Sequence, residues 1–220
     1  MNLGSLSGFV GFFMFLIACI WFKSILGKSG KKSKKETEQF LNAEHEANFS
    51  RAHEIPAEMF YHPGIDNLPN TEYGDKAEFA KLAQLKQKAF SGAQSTMLRL
   101  NPPLKNIEIK QKFGAANLEK ITNYETSYEQ YIRSLSNWAD ELVKLEFYED
   151  AKKVLSICIE MDSLIFLPYS LLCDIYVKEK NIAELDSLKS KVISTNIIAN
   201  NELLSKKIIA YIDEKLKEIE

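Results

Sequence analysis

Trp138-Ala139-Asp140-Glu141-Leu142-Val143-Lys144-Leu145-Glu146-Phe147-Tyr148-Glu149-Asp150-Ala151-Lys152-Lys153-Val154-Leu155-Ser156-Ile157-Cys158-Ile159-Glu160-Met161-Asp162 decides the architecture, because its side-chain pattern returns 34 residues later. Leu135 matches Tyr169, Trp138 matches Leu172, Ala139 matches Cys173 and Leu142 matches Tyr176. After the turn, Tyr148 matches Ile182, Ala151 matches Leu185 and Cys158 matches Val192. Large positions fall on large ones, and several small positions on small ones. Apolar residues at three- and four-residue intervals mark amphipathic helices. A shared offset at seven positions is more than generic amphipathicity supplies.

The stretch resembles the latter two-thirds of a tetratricopeptide repeat, a helix-turn-helix unit of this length. The family's small residue in its first helix falls on Ala139, its turn tyrosine on Tyr148 and its alanine at the helix crossing on Ala151. Its second small position falls on Cys158, and its Glu-x-Asp ending on Glu160 and Asp162. Glu146 stands where the family has a turn glycine, and Ser163 where it has a closing proline. In the next unit Leu185 replaces the alanine and Lys189 occupies an apolar position. The resemblance covers about a third of the chain and implies an array of antiparallel helix hairpins with a concave partner-binding face. Two repeats are fewer than a solenoid needs, so flanking helices must cap the ends.

Working outward, the pattern predicts helices at about 117–145, 148–161, 165–179, 182–194 and 201 to the end. The first, with Asn117 as its cap, is about 28 residues or 42 Å long. The last buries an apolar face of Leu203, Leu204, Ile208, Ile209, Ile212, Leu216 and Ile219. Upstream, Asp75 caps a helix running to about Leu100 with Phe79, Leu82, Leu85, Ala89 and Met97 on one face. Ser91-Gly92 marks a kink, and Asn101-Pro102-Pro103 a stop. Asn106 caps a short helix that Gly114 closes. Residues 54–75 hold three prolines and two glycines and read as an extended connector whose aromatics Phe60, Tyr61 and Tyr73 pack along the helical domain. Glu36 to about Arg51 reads as a polar helix with a narrow stripe of Phe40, Leu41, Ala43, Ala47 and Phe49. No segment reads as a strand. The expected organisation is a transmembrane anchor at 1–26, a basic tether, short helix and connector at 27–74, and an all-α helical domain at 75–220 with its repeat core at 135–194.

The anchor follows from Leu3 to Phe22, where only the thiol of Cys19 is ionisable. About 20 apolar residues in a helix span roughly 30 Å, the hydrocarbon thickness of a bilayer. Lys23, Lys28, Lys31, Lys32, Lys34 and Lys35 follow at once. A signal peptide has its basic stretch before the apolar core and a small-residue cleavage site after it; here the order is reversed. Lysine-rich flanks stay cytoplasmic, so the expectation is a single-pass protein of the cell membrane, N-terminus outside and domain inside. The lysines also suit contact with anionic lipid. Gly4-x-x-x-Gly8 and Ser7-x-x-x-Gly11 offer a face for self-association of the anchor.

The chain carries 28 basic and 30 acidic residues; six of the basic and none of the acidic lie in 1–35, leaving 22 against 30, a net of −8. So acidic a domain argues against nucleic acid as a partner. Cys19, Cys158 and Cys173 form no close pair and read as free thiols of a reducing compartment. His45, His53 and His62 lack metal-ligand spacing, and no nucleotide-binding or hydrolase motif is present. Carboxylate pairs such as Glu125 and Glu129 read as solvated helix faces. The expectation is therefore no enzyme and no cofactor, but a membrane-anchored scaffold or adaptor for a protein or peptide partner. Its candidate groove residues are Tyr124, Tyr128, Tyr131, Asn137, Tyr169 and Tyr176, with Tyr131 and Asn137 outside the main apolar stripe. The alternative is a structural subunit of a larger membrane complex, bound through its anchor and connector.

Overall fold

The computed structural model describes residues 14, 15, 21, 23, 34–74, 76–195 and 201–219. It is predominantly helical, and the chain divides into two compact units: 1–53 with 106–115, and 54–105 with 116–220. The expected span at 1–26 lies almost wholly outside the described residues. Of it, Met14, Phe15, Trp21 and Lys23 are described, all helical. Among the described residues no helix is long and apolar enough to cross a membrane.

In the first unit, residues 34–48 form the described part of helix α1, and Asn106–Phe113 form α3. Ala47, Ile109 and Phe113 are buried. Lys110 bonds Glu44 and, at 2.8 Å, Asn48. The backbone amide of His53 donates to Phe113 O at 3.0 Å. Gly114 closes α3 as expected, at φ +89°, and a Cβ there would meet Ala52 Cα at 2.4 Å, so only glycine fits. The stripe expected on α1 is mostly outward: Phe40, Leu41 and Phe49 are exposed. Lys34 and Lys35 already belong to the helix.

The second unit begins with the connector, which is extended with 3-10 turns at Ala57–Met59, Ile65–Asn67 and Ala77–Phe79. Contrary to the strand-free reading, Phe60–Tyr61 (β1) pairs antiparallel with Met97–Leu98 (β2), Phe60 opposite Leu98 and Tyr61 opposite Met97. Helix α2, Ala80–Ala93, is therefore shorter than expected. Its chain turns at Gln94 and Ser95, which donate to Ser91 O and Gly92 O, and Met97 and Leu98 are buried as strand residues. Asp75 is not a described residue; the N-cap of α2 is Phe79. Gly92 lies within α2 without ending it. A Cβ there would come within 2.9 Å of Tyr131 Cδ2, so its role is close helix packing rather than a kink.

Helix α4, Leu118–Lys144, has 27 residues, about 40 Å. Asn117 takes the N-cap position with no side-chain cap hydrogen bond. Then come α5 (Tyr148–Glu160), α6 (Phe166–Lys178), α7 (Ile182–Ser194) and α8 (Glu202–Lys217), all close to the expected ranges. Asn181 and Asn201 cap the last two, accepting from Glu184 N and Leu204 N.

Helices α4, α5 and α6 end alike: Asp162, at φ 55° with Ser163 N donating to Cys158 O at 3.0 Å, ends α5 as Glu146 and Lys180 end α4 and α6. Glu146 and Lys180 both have left-handed φ, 62° and 53°. After α4, Phe147 N donates to Leu142 O at 2.9 Å; after α6, Asn181 N donates to Tyr176 O at 2.9 Å. This is the six-residue bond of a Schellman ending. Leu135 and Tyr169, Trp138 and Leu172, Ala139 and Cys173, Ala151 and Leu185, and Cys158 and Val192 are buried at both members of each pair. Tyr176 is half-buried, and Ile182 is exposed. Helix α8 packs on α6 and α7 through Ile208 and Ile212, while Leu203, expected on that face, is 84% exposed. Lys189, the polar intrusion in the second unit, pairs with Asp213 of α8 at 2.5 Å.

Candidate functional site

Three elements of the second unit enclose a cleft of about 240 Å³: the segment from β2 to Pro103, the first half of α4, and Leu164 and Ile165 before α6. Leu98, Ile132 and Ile165 give it an apolar floor, and Leu164, 39% exposed, stands at the rim. Its polar walls are fixed by hydrogen bonds. Arg99 Nη1 donates to Tyr128 Oη at 3.1 Å and to Asp162 O at 2.5 Å. The Tyr128 hydroxyl donates onward to Met161 O. Leu100 N donates to Glu125 Oε1 at 3.2 Å. Arg99 interrupts an apolar run, and these bonds are why that position is not apolar: they tie β2 to the turn between α5 and α6.

Burial raises the pKa of the Glu125 carboxyl; the Leu100 amide opposes the shift, and the charge of Glu129 reinforces it. Asp162, left-handed at φ 55°, is raised by burial too, against the pull of Arg99 and Lys191. Glu129 and Arg133 line the same cleft from exposed positions.

A smaller hollow of about 150 Å³ lies among α5, α6 and α7, with Ile159, Leu172, Tyr176, Glu184 and Lys191 in its walls. The connector covers another part of α4 and α5. Phe60 meets Tyr124 edge-on at 5.6 Å, and the Tyr61 and Tyr128 rings are 5.1 Å apart. Tyr73 Oη donates to Asp150 Oδ2 at 2.9 Å, and its ring packs on Phe147 at 4.9 Å. Lys86 Nζ donates to Asn70 Oδ1 and Thr71 O. The expectation that the connector's aromatics pack along the helical domain is met.

The proposed groove residues divide. Tyr128, Tyr131 and Tyr169 are buried, 6%, 1% and 1% exposed, so they are core and not a docking surface. Tyr169 donates to Ser163 O at 2.9 Å. Tyr131 lies outside the apolar stripe of the sequence pattern, but α4 is packed by α2 on one side and α5 on the other, and the buried arc is wide enough to take it in. Tyr124 and Tyr176 are half-buried, and Asn137 alone is exposed. Of the six lysines, Lys23, Lys34 and Lys35 are exposed; Lys28, Lys31 and Lys32 lie outside the described residues. Arg99, Arg133 and Leu164 are site residues that the sequence does not single out, and Glu125, which it reads with Glu129 as a solvated face, is half-buried. Four-residue spacing was the available signal for Glu125 and Glu129, but it fits a solvated face equally well.

His45 packs on Phe49 at 4.9 Å and His62 on Phe60 at 6.4 Å. Among the described residues no group of three or more His, Cys, Asp or Glu side chains is placed to hold a metal ion. The thiols of Cys158 and Cys173 are both pushed up to about 12 by burial, which leaves neither reactive at neutral pH. Compared with known proteins, the chain matches no family model, no curated sequence and no solved structure.

Proposed function

We propose that this chain is a membrane-anchored scaffold, in which a tetratricopeptide-like helical domain docks a protein or peptide partner at the cytoplasmic face of the membrane. The observation behind it is the cleft on α4, apolar at its floor and with charged side chains fixed in its walls. A protein-docking site combines an apolar hollow with oriented polar groups in this manner. The repeat reading draws on the 34-residue recurrence of buried positions. The membrane reading draws on Leu3 to Phe22 and the lysines that follow. Confining both partners to one surface raises their effective concentration.

The test is crosslinking in intact cells, followed by identification of what co-purifies with the full chain and with a variant lacking 115–220. Partners lost with the helical domain support the scaffold. Partners retained without it move the function to the anchor and connector. That second reading, an accessory subunit held through its anchor, draws on the small-residue face of Gly4 and Gly8. Exchanging the anchor for an unrelated transmembrane helix separates the two, since the scaffold tolerates the exchange and the subunit does not.

A further inference from the structure

Glu125, Glu129 and Arg133 follow one another at four-residue intervals along α4, and all three line the cleft. On a helix this spacing puts side chains on one edge, about 6 Å apart along the axis. Arg99, the remaining charged residue of the cleft, spends donors on the Tyr128 hydroxyl and the Asp162 backbone carbonyl, and its charge also acts on Glu125. Glu129 and Arg133 take part in no ion pair or hydrogen bond among the described residues, although they are close enough in sequence to pair with each other. Among the described residues Glu125 accepts through Oε1 alone, so its second oxygen remains for another donor. Along α4 two carboxylates are thus followed by a cation, with Arg99 on the β2 side of the cleft acting on the first of them. Below the row, the hollow has room for one large apolar side chain.

We infer that the cleft docks an amphipathic helix of a basic partner protein. One large apolar side chain fills the hollow, Lys or Arg residues one turn apart face Glu125 and Glu129, and an acidic residue a turn further faces Arg133. A row at helical spacing is matched by another row at helical spacing, as in ridges-into-grooves packing. The net charge of −8 outside residues 1–35 favours a basic partner for the chain as a whole, and the order of charges along α4 sets its register in the cleft. A cation seated between Glu125 and Glu129 also removes their mutual repulsion. The inference rests on the scaffold reading for why a partner docks at all, and it adds the partner's shape and sign.

The probe is a synthetic alanine-rich helical peptide of about 18 residues, long enough to be partly helical alone. It carries one Phe, two Lys and one Glu in the register above; its twin has the three charges reversed. Fluorescence anisotropy measures both against the full chain in detergent micelles at low salt. The first peptide binds about fivefold more tightly than its twin, the scale set by a few partly exposed ion pairs. The double variant Glu129→Lys/Arg133→Glu changes only exposed side chains and inverts the preference. Leu164→Asp at the rim weakens both peptides. Circular dichroism establishes that each variant is folded. Equal affinities, preference for the twin, or no binding of either overturns the inference. So does a dimer of the full chain that disappears in the double variant, because the occupant is then a second copy. In cells, partners that depend on 115–220 but ignore the double variant sink the cleft and leave the scaffold standing. Partners independent of 115–220 sink the scaffold instead.

Discussion

Lys180, Glu146 and Asp162 end three successive helices in left-handed backbone, and none is glycine. A side chain in that region costs roughly 1–2 kcal/mol, partly offset by the entropy that glycine loses on folding. Lys180→Gly is therefore expected to stabilise the full chain by about 0.5–1 kcal/mol in urea unfolding followed by circular dichroism. Lys180→Val should destabilise it, and the reverse order would show that the turn does not hold this conformation. Two tyrosines make a sharper pair. Tyr73 donates to Asp150, whereas the buried hydroxyl of Tyr131 has no partner among the described residues. The same deletion should have opposite consequences: Tyr73→Phe costs about 1 kcal/mol, while Tyr131→Phe is neutral or stabilising because it removes an unsatisfied buried group. Burial raises the Tyr73 pKa, and the Asp150 hydrogen bond adds to the shift. A folded pKa above the unfolded value of 10 means that this contribution is intact below pH 10 and is lost as pH rises beyond it. Alkaline unfolding should accordingly lose part of its slope in Tyr73→Phe, and an unchanged profile would remove Tyr73 from the account.

At the scale of elements, helices α5, α7 and α8 are legible because each has one buried side, and α6, buried all round over Pro168–Cys173, because its ends are recognisable. Asn181 and Asn201 cap two of them, and turns at Glu146, Asp162 and Lys180 separate the others. Helix α2 was misread for a definite reason. Met97 and Leu98 continue an apolar period of three to four residues, yet two adjacent apolar residues suit a strand as well, and pairing with Phe60 and Tyr61 decides the matter. That pairing joins residues far apart in sequence, which no local pattern reports. The cleft escaped for the same reason. Arg99, Glu125 and Leu164 come from three separate segments, and only the fold makes them neighbours. Within the hairpins, Ala151 is fully buried in α5 where it meets α4, while Leu185 takes the corresponding place in α7. Ala151→Leu should overpack the first hairpin and cost about 1–3 kcal/mol. Leu185→Ala should leave a cavity in the second and cost about 2–5 kcal/mol. Equal tolerance of both changes would mean that the two hairpins are not packed in the same way at the crossing.

On the scale of the whole molecule, charge is divided along the chain. The first 35 residues have six lysines and no acid, and the remainder carries a net of −8. Each lysine near an anionic surface contributes about 1 kcal/mol of attraction, whereas the acidic remainder is repelled by the same surface. If the apolar stretch is the anchor proposed above, the arrangement also implies its direction, because positive flanks are retained on the cytoplasmic side. Two measurements on cells expressing the full chain follow from this. After alkaline extraction the protein should stay with the membrane fraction, and protease added to intact spheroplasts should leave the helical domain whole while degrading it once the membrane is opened. Changing all six lysines to glutamine should then leave extraction resistance intact but allow a fraction of the chains to insert the other way, so that protease cuts them from outside. Extraction of the unchanged protein by alkali would overturn the anchor itself. Resistance to alkali with full protease sensitivity in intact cells would keep the anchor, reverse its direction, and place the cleft on α4 among partners outside the cell.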